Sequence, residues 1–205
     1  MMWDLTLDPG YAGASNSGAL PMSDKKLRQL EPTLYGWKGG LVGMIARVKV
    51  KEIRNRIAGQ LRYGNGSAAV VISVTPLRIA AYAYDLDAVA LLRFPHALVK
   101  QYDLEIGTRL LTTNFFQREV HEDLTDDPGN FGVWHGFKPL IADFLTDDQE
   151  ALEECKAQVS ALEWKRAEVL GRKWFDAHPY FVRDGTPSLT GDPAEEKALS
   201  ERELR

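Results

Sequence analysis

The clearest patterning in the chain lies between Ser67 and Phe94, where three short runs rich in β-branched and aromatic residues follow one another. They are Ala69 to Val74, Leu77 to Tyr84 and Ala88 to Phe94, punctuated by Thr75-Pro76 and Asp85-Leu86-Asp87. Runs of this kind fit a pleated, half-buried surface, so the segment predicts an antiparallel meander. Asn65-Gly66 just before it is the dipeptide that a type I′ hairpin favours, because both residues tolerate positive φ, and it implies a strand ending near Tyr63. Further upstream, residues 41–61 carry two periods. Val48 and Val50 alternate with Arg47, Lys49 and Lys51 as in a strand, whereas Ile53, Ile57 and Leu61 recur every four residues as in a helix. The strand reading is adopted for the whole stretch.

From Phe94 to Leu111 a strand ends at Pro95, a short helical stretch presents Leu98, Val99 and Tyr102, and Gly107 turns the chain into a further strand. This unit resembles the local pattern of the swapped-hairpin transcription regulators: strand, proline, short helix, Leu-x-x-Gly and strand. The resemblance covers under a tenth of the chain. It implies strand–helix–strand here; the meander that precedes the unit departs from that family, whose short domains carry basic arms facing DNA.

The last strong pattern is helical. Thr146-Asp147-Asp148-Gln149 reads as a capping box with two acids in the first turn. After it Leu152, Cys155, Val159, Leu162, Val169 and Leu170 make an apolar stripe largely at 3–4 spacing, which His178-Pro179 stops. One long helix over about residues 147–176 is expected, with Leu152, Val159 and Leu162 inward and Glu153, Lys156 and Glu163 in solvent. The fold class that follows is α+β: an antiparallel sheet of about five or six strands, one short helix, and a long C-terminal helix packed on one face. Residues 1–22 include the small-residue stretch Gly10 to Pro21 and read as a flexible arm; 23–182 as a single domain; 183–205, charged and poor in apolar residues, as a mobile tail.

Composition agrees with a folded chain. The 205 residues are 44% hydrophobic, 26% charged and 10% aromatic, and a chain of this length buries roughly 70% of its extended surface, enough for a real core. Net charge is −4, so no global field attracts nucleic acid or anionic lipid. Cys155 is the only cysteine, which excludes an intramolecular disulfide and fits a reducing compartment. The N-terminus lacks the basic and apolar regions of a signal peptide, and no segment approaches the ~20 apolar residues of a spanning helix. A cytoplasmic protein with no membrane contact is expected.

Candidate chemistry is sparse. Gly64-Asn65-Gly66-Ser67-Ala68-Ala69 matches the G-x-G-x-x-A of a dinucleotide loop, but a β-branched run follows it where that loop needs a helix N-terminus. Charge is more informative. Between residues 38 and 62 stand seven basic residues, Lys38, Arg47, Lys49, Lys51, Arg54, Arg56 and Arg62, against the single acid Glu52. On a strand, Arg47, Lys49 and Lys51 share one face and make a stripe suited to phosphates or an acidic protein surface. Residues 119–154 reverse the balance, with eleven acids and only Lys138, so mutual neutralisation competes with that reading. Residues 130–140 set Phe131, Trp134 and Phe137 among glycines, a loop with aromatic hot-spot area for a partner. No metal or other cofactor is expected; His121, Glu122 and His135 are the residues closest to a ligand set, at a spacing that fits no recognised site.

Function is therefore expected from surface. The leading expectation is a non-enzymatic cytoplasmic interaction module for another protein or an anionic ligand, through Arg47, Lys49 and Lys51 and through Phe131, Trp134 and Phe137. The alternatives are a nucleic-acid-binding protein using residues 38–62 and a metal-dependent hydrolase using residues 121–135.

Overall fold

A computed structural model describes residues 18–35, 40–121, 134–180 and 182–187. In chain order the helices are α1 (Asp24–Leu30), α2 (Gly40–Tyr63), α3 (Ala97–Gln101), α4 (Gln149–Gln158) and α5 (Ala161–Ala177). The strands are β1 (Asn65–Val74), β2 (Leu77–Ala83), β3 (Ala88–Arg93), β4 (Arg109–His121), β5 (Trp134–Ile141) and β6 (Arg183–Asp184). The six strands form one sheet in the order β5-β4-β1-β2-β3-β6. The three runs of the meander are β1, β2 and β3, paired antiparallel with Ala69 opposite Ala81 and Ala81 opposite Ala90. The short helix and the strand after Gly107 also lie where the sequence puts them. The sheet is mixed rather than purely antiparallel, because β6 runs parallel to β3 at Leu92 and Arg93.

The sheet is curled, and its small side chains explain how. Asn114 on β4 donates from Nδ2 to the Tyr82 carbonyl of β2 at 2.8 Å, across the intervening β1. Register puts Asn114, Thr112, Ser67, Ala69, Ala81 and Ala90 on that same inner face, and all of them are buried. Alanine and serine let neighbouring strands bend toward one another, and Leu110, Ile79 and Leu92 are buried on the same face. The outer face takes α5. There Gly171 lies so close to β2 that an added Cβ would sit 2.4 Å from the Ala80 Cβ, so the helix backbone itself packs on the sheet.

Three expectations are corrected. Residues 41–61 are not strand but most of the 24-residue helix α2. The recurrence of Ile53, Ile57 and Leu61 decides this: Ile57 and Leu61 are fully buried and Ile53 packs against the core, while Val48, which a strand would turn inward, is 55% exposed. Asn65-Gly66 is not a hairpin turn. The helix closes with Gly64 N–H donating to Gln60 O at 2.8 Å, and a Cβ at Gly64 would sit 2.4 Å from that oxygen, so glycine is required where the chain leaves α2 for β1. The order is helix, glycine, strand, the reverse of a phosphate loop.

The C-terminal helix is two helices. Val159 and Ser160 are extended, and Ser160 Oγ accepts from Glu163 N–H at 3.1 Å, so Ser160-Ala161-Leu162-Glu163 is a capping box that restarts the helix. The restart resets the apolar period. α5 buries Trp164, Ala167, Leu170 and Gly171, leaving Leu162 68% exposed, while Leu152 and Val159 are buried as expected. At the start of α4 the cap is Asp148, which accepts from Ala151 N–H at 3.0 Å, two residues later than the Thr146 box predicts. Among the described residues no helix is long and apolar enough to cross a membrane.

Candidate functional site

The change from strand to helix rearranges the basic segment. At about 100° per residue, Arg47 and Lys51 lie one turn apart on the same side of α2, whereas Lys49 stands about 160° away from Arg47. The three-residue stripe is thus split, and position 62 replaces 49 on the arc that carries 47 and 51. Lys51 and Arg62 are exposed, and neither has an ion-pair partner among the described residues. Lys38 lies outside the described residues, and Arg54 and Arg56 serve the fold. Arg54 forks onto Asp24 with Nε and Nη2 at 2.8 and 2.6 Å, tying α2 to α1. Arg56 donates to the Pro187 carbonyl at 2.6 Å, just beyond β6. Mutual neutralisation with residues 119–154 is absent among the described pairs: Asp143 pairs with Lys156, and Asp147 accepts from Ser23.

The other candidates sit on the β4–β5 ladder or outside the described residues. Phe131 and Glu122 lie outside. Trp134 and Phe137 are in β5 rather than in a loop, opposite His121 and Phe116. His135 is opposite Val120, so strand alternation puts positions 121 and 135 on different faces of the ladder. The register does not bring the two histidines together. Among the described residues no group of three or more histidine, cysteine or acidic side chains gathers as for a metal ion.

Two polar networks escaped the sequence reading. The first centres on Asp143, 7% exposed within the apolar run Leu140-Ile141-Ala142-Asp143-Phe144-Leu145. Its Oδ1 is 2.7 Å from Lys156 Nζ, and its Oδ2 accepts from Leu111 N–H at 2.7 Å. Burial raises this carboxyl above its ordinary value, against the pull of Lys156. Lys26 Nζ, whose pKa burial lowers, donates to the Asp143 and Thr146 carbonyls at 2.9 and 2.6 Å and lies 5.3 Å from the Tyr102 ring centre. Every charge here is engaged by α1, α4 or β4, so the arrangement clamps those elements together. A lone carboxylate inside an apolar run is the signal that sequence inspection passed over.

The second network is half exposed. Tyr82 Oη donates to Asp87 Oδ1 at 2.7 Å, and Arg166 of α5 reaches the same carboxylate, with Nε at 2.9 Å. Hydrogen bonds from Arg166 hold Asp87 below the usual carboxyl range despite partial burial, and burial together with Asp87 pushes the Tyr82 phenol up. Asp87 is left-handed at φ 47°, a conformation that a short acidic side chain tolerates. These three groups fasten α5 to the β2–β3 turn.

No family model, curated protein or solved structure matches the chain.

Proposed function

We propose that the protein is a non-enzymatic interaction module that holds an anionic partner, another protein's acidic surface, on the outer arc of α2. The observation that carries this reading is the division of labour among the bases of that helix. Arg54 and Arg56 are spent on the fold, while Lys51 is exposed and has no counter-ion among the described residues on the arc it shares with position 47. An unpaired cation on a rigid helix steers an oppositely charged surface and costs no rearrangement on binding. The two described polar networks are fully engaged in joining elements, which favours a binding role over a catalytic one. A cytoplasmic location goes with this reading: Cys155 is a free, buried cysteine, and burial raises its thiol pKa and so suppresses its reactivity.

The test compares capture from native lysate by the wild-type chain and by Arg47→Glu/Lys51→Glu, across a salt series. A partner retained at low salt, released as salt rises and lost in the variant supports the reading, provided thermal melting shows the variant folded. Equal capture by both proteins overturns it. Retention of duplex DNA or RNA with a steep salt dependence, also lost in the variant, transfers the same helix face to the nucleic-acid alternative.

A further inference from the structure

Where β1 begins and β2 gives way to β3, three large apolar side chains from three elements stand in solvent: Tyr63 at 58% exposure, Tyr84 at 59% and Leu162 at 68%. Asp85 draws them to one end of the sheet. Tyr84 precedes it in the chain. Tyr63 lies two residues before Asn65, whose Nδ2 donates to Asp85 Oδ2 at 3.1 Å. Leu162 precedes Glu163, whose carboxyl is raised by burial and by the nearby Asp85 charge, and Leu162 is one helical turn before Arg166, which grips Asp87.

Three charges at this end stand without an opposite charge in ion-pair contact among the described residues. Elsewhere, Arg54 closes on Asp24, Lys156 on Asp143 and Arg166 on Asp87. Here Arg62 lies over the Tyr63 ring, 5.5 Å from its centre, and meets no carboxylate among the described residues. Among the described residues Asp85 has only the Asn65 amide, and Glu163 only the cap of its own helix, with Ser160 Oγ at 3.4 Å. The patch therefore offers an exposed cation, two carboxylates with no cation among the described residues, and tyrosine and leucine surface of the kind that anchors interfaces.

We propose that a second copy of this chain docks on this patch about a two-fold axis, with Arg62 of each copy meeting Asp85 and Glu163 of the other and Tyr63, Tyr84 and Leu162 packed between. A two-fold interface must be self-complementary, because the same surface serves both sides. A basic partner would satisfy only the carboxylates and an acidic one only Arg62, whereas a second copy satisfies both signs at once. Arg62 shares the arc of Lys51 but stands about 16 Å along α2 from it, so this contact leaves Lys51 and position 47 free.

Sedimentation equilibrium on the full chain tests this. With three apolar side chains and two reciprocal charge contacts the association is a weak one, expected at a dissociation constant between about 10 μM and 1 mM, with the average mass climbing from monomer toward dimer across that range and less steeply in 0.5 M salt. Arg62→Glu puts like charges opposite each other and weakens association at least about tenfold; Asp85→Lys/Glu163→Lys does the same. Mixed one to one, the two variants are complementary in both contacts and recover the dimer. Tyr84→Ser, which leaves all three charges in place, weakens association several-fold by itself and keeps the test open if the double variant fails to fold. A wild-type chain monomeric at 1 mM overturns the proposal, as does a dimer indifferent to Arg62→Glu and Tyr84→Ser, or a folded mixture that stays monomeric.

Discussion

Lys156 Nζ and Asp143 Oδ1 meet at 2.7 Å in a setting where the two side chains are only 16% and 9% exposed. The pair joins α4 to the end of β5, and Leu111 N–H on β4 fixes the other oxygen, so three elements depend on one carboxylate. Removing the cation leaves a buried charge unpaired. Lys156→Met is expected to cost about 3–5 kcal/mol in urea unfolding at neutral pH. Asp143→Asn/Lys156→Met recovers much of that loss, because asparagine still accepts from Leu111 and needs no counter-ion. The pH dependence has a definite sign. Because the folded carboxyl is raised above its unfolded value, folding takes up a proton between the two, and stability falls as pH rises through that window. In Lys156→Met the window widens upward, so the deficit against wild type shrinks on acidification.

Ser160 decides whether residues 149–177 are one helix or two. Its hydroxyl accepts from Glu163 N–H at 3.1 Å, and its own backbone is extended. Ser160→Ala removes the cap and is expected to cost about 1 kcal/mol, measured as a lower urea midpoint with an unchanged denaturant slope. A neutral substitution would mean that tertiary packing alone places the break.

What was legible in the sequence follows from how far each signal extends. The meander is marked by three full runs of β-branched and aromatic residues with turn residues between them, and the sheet reproduces it. The alternation of Val48 and Val50 with Arg47, Lys49 and Lys51 covers only five residues, too few to outweigh the four-residue recurrence that continues to Leu61. Because this stretch is helical, Arg47, Lys49 and Lys51 do not all share one face, and the grouping of the bases on α2 is not legible from the five-residue alternation. Ser160-Ala161-Leu162-Glu163 was as readable as any capping box, yet Leu162 was counted in an uninterrupted apolar stripe that passed through it. Asp143 and Asp87 were invisible as partners because Lys156 and Arg166 reach them only through the folded chain.

Two helical glycines with opposite surroundings give opposite expectations. Gly59 lies inside α2 with nothing within 4 Å of a built Cβ, so Gly59→Ala gains helix propensity at no steric cost, about 0.5–1 kcal/mol. At Gly171 the same methyl group would meet the Ala80 Cβ at 2.4 Å and Ile72 Cδ1 at 3.0 Å. Gly171→Ala must push α5 off the sheet, and a loss of about 1–3 kcal/mol is expected. Thermal melting of the two variants beside wild type reads both signs in one experiment. A stabilised Gly171→Ala would mean that α5 is not seated on β2 as described.

The Tyr82–Asp87–Arg166 network should show itself at both ends of the pH scale. Asp87 is held below the ordinary carboxyl range in the folded chain, so its contribution is fully present above the unfolded value and is lost as pH falls through the folded one. Tyr82 is pushed above the ordinary phenol range, so its contribution is present below the unfolded value and is lost as pH climbs beyond it. Asp87→Asn keeps the left-handed backbone comfortable and removes the acid-side loss; with the side chain 44% exposed, the effect at neutral pH is at most about 1 kcal/mol. Tyr82→Phe removes the alkaline loss and leaves the acid side in place, since Arg166 still binds Asp87. Melting temperatures of the three proteins from pH 2 to 11 separate these effects. If the wild-type and Asp87→Asn curves stay parallel below pH 4, the carboxylate is not held by Arg166 in solution, and the anchoring of α5 rests on the packing of Trp164, Ala167, Leu170 and Gly171.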